Sequence, residues 1–304
     1  MKIRILGLCI ISVLGGCASW SQKPDIAIVR DGGKSEVAVV DLAKTLEFAN
    51  LDNMAALSAN VYIDNADGST NSFTKFCTSN NVQYVPGGWH EEPSLTFTPE
   101  TPPGSYKVNG LGYQVWIKES PGTPPQAIIA FRGTDAKQLG DWISNFRWVT
   151  RFIPFFWDQY DQTRALIPTL VESIHKKYGD NTFITTTGHS LGGGLAQQAA
   201  YMSHHIRTVY AFDPSVVTGY YSVDTATREI SEKGMSIQRI YEHGEILAYI
   251  RLIFKELYPL THADPKIVEV RYNLLEGNGV AQHSMKNFAC KLHDVKEGIT
   301  PPRV

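Results

Sequence analysis

The chain has 304 residues, 43% of them hydrophobic, with 28 basic and 30 acidic side chains and a formal net charge of −2. That size and apolarity suffice for the core of one enzyme-sized domain, and the content of aromatic residues argues against a disordered chain. Because positive and negative charges are spread along the sequence, no cationic surface exists to release counterions from a nucleic acid, and nucleic-acid binding is excluded.

Taken in chain order, residues 1–17 read as a targeting segment, with Lys2 and Arg4 ahead of a short apolar run. The run is too short for a comfortable membrane span, which needs about 20 apolar residues. It ends in Leu14-Gly15-Gly16-Cys17, which resembles the lipobox of bacterial lipoproteins. That resemblance implies a signal peptide over 1–17, acylation of Cys17 by palmitate-type chains, and a lipid-anchored place in the bacterial cell envelope, at the outer membrane. Residues 18–40 are expected to form a tether, and 41–304 a single domain. With Cys9 in the signal and Cys17 acylated, Cys77 and Cys290 remain, either as a disulfide or as two buried thiols.

Apolar spacing over 42–62 predicts an amphipathic helix, and the Gly-, Pro- and Asn-rich stretch 65–109 predicts an irregular excursion. Strands are predicted at 113–117 and 127–131, separated by a Pro/Gly turn. From there the pattern alternates: helix 162–178, strand 182–187, helix 191–205, strand 208–212, strand 236–241, a helix near 246–257 and strand 267–274. Alternation of this kind defines an α/β fold, with a mainly parallel sheet and helices on both faces. Ligands bind such sheets at the carboxyl ends of the strands.

Gly188-His189-Ser190-Leu191-Gly192 lies at one of those ends, between a predicted strand and a predicted helix. A G-x-S-x-G run in that setting presents its serine on a sharp strand-to-helix turn, with glycines where backbone meets backbone. Ser190 is therefore the candidate nucleophile. A serine hydroxyl needs a base to take its proton and a carboxylate to orient that base, and in this fold the chain order is Ser, acid, His. His283, after the last predicted strand, is the candidate base, ahead of His262 and His293. Two carboxylates end the intervening strands, Asp213 and Glu245; the shorter Asp213 is the expected acid and Glu245 the alternative. Thr134, closing Phe131-Arg132-Gly133-Thr134 at another strand end, and the N–H of Leu191 are the candidate oxyanion donors. No Cys/His spacing suggests a metal and no phosphate loop a nucleotide, so no cofactor is expected.

Phe131-Arg132-Gly133-Thr134, Asp141-Trp142-Ile143-Ser144-Asn145 and the run from Thr187 to Ala196 together resemble the class 3, fungal-lipase-like family of α/β hydrolases. The resemblance spans roughly residues 40 to 293. It implies an α/β-hydrolase fold, Ser190 as nucleophile, His283 as base, Thr134 and Leu191 as oxyanion donors, and a lipid or acyl-ester substrate. The family places an Asp where Glu245 stands, whereas Asp213-Pro214 resembles the acid position of pancreatic-type lipases, so both acids stay in play. The aromatic run at 147–157 replaces the family's usual His-x-Gly-Phe and reads either as a lid or as ordinary core. A carboxylesterase or thioesterase of soluble acyl groups, and a non-catalytic envelope lipoprotein on the same scaffold, are the competing readings.

Overall fold

The computed structural model describes residues 22–23, 25–32, 37–42, 44, 50–64, 66–96, 111–133, 149–248, 251 and 264–299, without the side chains of 149–158. Cys17, Thr134, the 141–145 segment and His262 lie outside the described residues, as do 252–257 of the helix expected near 246–257 and the side chains of the 147–157 run.

A nine-stranded sheet runs in the order β2-β1-β11-β10-β9-β8-β7-β6-β5. Its centre comprises β7 (Gln126–Phe131), β8 (Phe183–His189), β9 (Ile206–Phe212), β10 (Ser236–Glu242) and β11 (Lys266–Tyr272), all mutually parallel. Antiparallel strands flank it: β6 (Tyr113–Lys118) and β5 (Trp89–Glu91) on one side, β1 (Ile26–Asp31) and β2 (Val37–Asp41) on the other. Residues 26–31 and 37–40, expected within a tether, are thus part of the sheet. Pairing of β1 with β11 and of β2 with β1 gives their backbone groups partners that a solvated linker would leave to water.

Strands of the centre are apolar on both faces because both are covered. On β7, Ala127, Ile129 and Phe131 join one core cluster, while Ile128 and Ala130 join the other. The first cluster is closed by α3 (Val149–Tyr178), through Ile167, Leu170, Val171 and Ile174, and by α4 (Leu191–Met202), through Leu195, Ala196 and Ala199. The second is closed by α1 (Leu51–Asn60), through Met54 and Leu57, and by α6 (Met285–Lys296), through Phe288 and Leu292. The short α2 (Phe73–Thr78) and α5 (Thr225–Ser231) complete the described helices. The predicted excursion over 65–109 thus contains α2, β5 and a two-stranded sheet of β3 (Gly68–Thr70) and β4 (Val82–Tyr84). Cys77 of α2 and Cys290 of α6 form a disulfide with a Cα–Cα distance of 6.0 Å, within the ordinary range for such a bond.

Candidate active site

Ser190 stands between β8 and α4 with φ 57° and ψ −125°, a left-handed conformation that L-residues adopt only when the surroundings impose it. The surroundings are backbone. Ser190 N–H donates to Phe212 O (3.0 Å), and Ser190 O accepts from Gly193 N (3.0 Å) and Ser215 N (2.9 Å). A β-carbon on Gly188 would overlap the Gly192 carbonyl, and one on Gly192 the Phe131 carbonyl. The turn closes only with glycine at both places, which is the physical content of the motif. Leu191 opens α4, so its N–H is one of the helix-start donors without an intrahelical acceptor.

His283 ends a 3-10 turn (Ala281–His283) and is 1% exposed. The next residue, Ser284, caps α6 by accepting from Asn287 N–H. His283 Nδ1 meets Glu245 Oε2 at 2.7 Å, and its Nε2 is buried without a hydrogen bond to any described residue. Glu245 follows β10 and is completely buried. Its Oε2 also accepts from Leu247 N–H (2.9 Å), and its Oε1 accepts from Arg251 Nη2. Burial alone would raise this carboxyl, but the Arg251 cation and the His283 hydrogen bond outweigh it and hold Glu245 below its ordinary value.

Asp213 ends β9 at φ 39°, and its Oδ1 accepts from Glu242 N–H (2.8 Å). Burial, then the charge of Glu245, pushes its carboxyl well above the ordinary range, against the pull of Arg251. Thus both sequence-selected carboxylates reach the site, but the hydrogen bond to the imidazole comes from Glu245. The preference for Asp213 rested on side-chain length; its oxygen is instead committed to the backbone of β10.

His189, one residue before Ser190, packs its ring against that of His283, with centroids 4.4 Å apart. Burial and then the neighbouring His283 hold it well below the usual histidine value. Tyr62 had no sequence signal. Its hydroxyl accepts from Gly133 N–H (3.0 Å), lies 3.2 Å from His189 Nδ1, and is placed to donate to His189 O (3.1 Å). It therefore ties the residue before Thr134 to the elbow. Arg251 likewise escaped the sequence reading, since nothing in its local sequence marks it.

His189, Asp213 and His283 each place a ligand-type atom within 4.8 Å of the others. All three are buried, and the hydrogen bonds of Asp213 and His283 run to Glu242 N–H and Glu245.

A mainly parallel sheet with helices on both faces, a serine at positive φ in the β8–α4 turn and a buried His–carboxylate pair define an α/β hydrolase. Within that class the chain belongs to the Tle-like phospholipase domain family, described as phospholipase-like, which it matches over residues 53–251. It is also 30% identical over 149 residues to an extracellular phospholipase A1 of Serratia liquefaciens. That match covers 48% of this chain and 42% of the relative, so it spans less than half of that protein. Among solved structures, lipase II of Rhizopus niveus is similar at 15% identity with a TM-score of 0.41, over 74% of this chain and 78% of that one. M37 lipase is similar at 16% identity and TM-score 0.43, over 81% and 80%.

Proposed function

We propose that this chain hydrolyses carboxylic esters of lipids through Ser190, His283 and Glu245. The observation that carries the reading is the buried His283–Glu245 hydrogen bond, with the His283 ring packed on His189, the neighbour of a serine held at positive φ. Glu245 fixes Nδ1–H as the donor and so turns Nε2, which has no other described partner, into the proton acceptor. Catalytic hydrogen bonds tighten on substrate binding, so an open Nε2 suits a resting site.

In the forward step Ser190 Oγ bonds to the ester carbonyl carbon while its proton passes to His283 Nε2. Leu191 N–H, with Thr134 as second donor, stabilises the oxyanion. Collapse expels the alcohol, which takes the proton from Nε2, and water repeats the sequence on the acyl-serine to release the acid. Asp213 serves as a structural brace in this scheme.

A glycerophospholipid acyl ester is the substrate class, supported by the family description and by the name of the Serratia relative. The lipobox-like Leu14-Gly15-Gly16-Cys17 supports export and a lipid anchor beside that substrate. Fluorophosphonate labelling together with release of fatty acid from phospholipid vesicles tests the reading. Labelling and turnover are expected to vanish in Ser190→Ala. Glu245→Gln is expected to lower kcat by about 10³- to 10⁴-fold, as loss of a triad acid does, and Asp213→Asn by far less. Turnover that survives Ser190→Ala, or a loss confined to Asp213→Asn, would overturn it. Hydrolysis of soluble esters with none of phospholipid would leave the triad and remove the lipid substrate.

A further inference from the structure

Two carboxylates of the site face one cation. The Arg251 side chain is only 15% exposed and spans both strand-end turns that carry them. Its Nη1 donates to Pro214 O (2.9 Å), next to Asp213, and its Nη2 binds Glu245 Oε1 and lies 3.8 Å from Asp213 Oδ1. The guanidinium also sits over the Tyr241 ring, 4.4 Å from the centroid, so the fork is fixed from below as well. An Asp213 oxygen comes within 4.8 Å of a His283 ring nitrogen, so a second carboxylate stands close to the imidazole.

Resting on the triad reading above, we propose that Arg251 is a positioning residue that makes Glu245, and not Asp213, the acid paired with His283. The bond to Oε1 orients Glu245 so that Oε2 meets Nδ1, and the bond to Pro214 O holds the Asp213 turn back against β10. The titratable groups that interact with the cation are Glu245, Tyr241, Asp213 and His189, so it bears on the ionisation of the two acids. Its charge favours the ionised form of Glu245, while burial and the Glu245 charge push the Asp213 carboxyl up against its pull.

Arg251→Met keeps the apolar stem and removes the charge; Arg251→Lys keeps the charge and removes the fork. Each is measured in the full chain on a soluble short-chain ester, with kcat, KM and the pH profile of kcat/KM. Arg251→Met is expected to lower kcat by about 10²-fold, the cost of misplacing a catalytic group, with KM changed less than about threefold. Removing a buried positive charge eases proton uptake by the His–carboxylate pair, so the acidic limb moves to higher pH. Arg251→Lys is expected to return that limb to its native position and recover part of kcat. Because Glu245 is no longer singled out without Arg251, Glu245→Gln costs less in the Arg251→Met background than in the native chain.

Native kcat and limb in Arg251→Met, a lysine variant with a displaced limb, or losses of Arg251→Met and Glu245→Gln that simply multiply would each overturn the role. Where the methionine variant does not fold, the lysine variant decides: reduced kcat on a native limb supports the role, native kcat refutes it. Fluorophosphonate labelling of the native chain keeps the two failures apart. A native chain that does not label at Ser190 sinks the triad, whereas one that labels while the Arg251 variants behave as native sinks only this inference.

Discussion

Cutting the Cys77–Cys290 bond should destabilise the protein strongly while leaving it folded. The two cysteines are 213 residues apart, so the bond closes a loop that takes in most of the chain. In the chain-entropy treatment a loop of that length restricts the unfolded ensemble by about 5 kcal/mol at 25 °C. The native contacts around the bond do not depend on it. Phe73 stacks on His293 at 3.8 Å, Asp52 accepts from His293 and Lys296, and Phe76 and Phe288 lie in the core beside it. The loss therefore falls on the unfolded state, and Cys77→Ser/Cys290→Ser should melt about 10 °C lower than the oxidised chain, at roughly 2 °C per kcal/mol for a domain of this size. Denaturant unfolding of the two forms measures it directly, and turnover at 25 °C should persist because Glu245 and the Ala281–His283 turn still hold the base. A stability difference below about 1 kcal/mol would refute the loop-closure reasoning.

Ser190→Gly should abolish turnover yet raise stability by about 1 kcal/mol in thermal denaturation, since glycine relieves the left-handed φ at the elbow but adds freedom to the unfolded chain. Glu242, fully buried, accepts from Leu274 and Leu275 N–H, and burial pushes its carboxyl from 4.5 up to about 7. The folded chain thus binds this proton more tightly than the unfolded one. Its contribution is complete below about pH 4.5 and is lost as pH rises through about 7, so native stability should fall by about 3 kcal/mol relative to Glu242→Gln across that window; parallel stability curves would exclude it. Tyr62→Phe leaves the Gly133 N–H unpaired and unties the elbow from the strand end; kcat should drop about 10- to 100-fold with a stability cost of about 1–2 kcal/mol, read from kinetics and urea unfolding.

Much of this architecture was legible because it rests on local pattern. The parallel centre follows from apolar runs alternating with amphipathic ones, and Ser190 follows from glycines whose absence of a β-carbon is written in the sequence itself. Chain order alone selected His283, whose ring the structure sets against Glu245. What sequence did not carry is orientation. Asp213 and Glu245 both end strands, and only the course of the chain after each strand decides which oxygen turns to the imidazole and which to the Glu242 N–H. Arg251 and Tyr62 act across 38 and 127 residues or less of sequence separation through contacts that no spacing rule encodes, and β1 and β2 were missed because strands outside the alternating pattern look like a polar leader.

The strand β1 also fixes the end of the sheet at which the chain enters it. It runs antiparallel to β11, with Ile28 opposite Arg271 and Asp31 opposite Val268, so the chain enters the sheet at the carboxyl ends of the parallel strands. Gln22 is fastened there, donating to Arg271 O (2.8 Å) and accepting from Arg271 Nε (2.9 Å). Ser190, Asp213 and Glu245 leave the sheet at that same end. The chain upstream of Gln22 therefore joins the molecule at the sheet end that carries Ser190, Asp213 and Glu245, and a change at Gln22 acts next to the candidate site rather than at the far edge of the sheet.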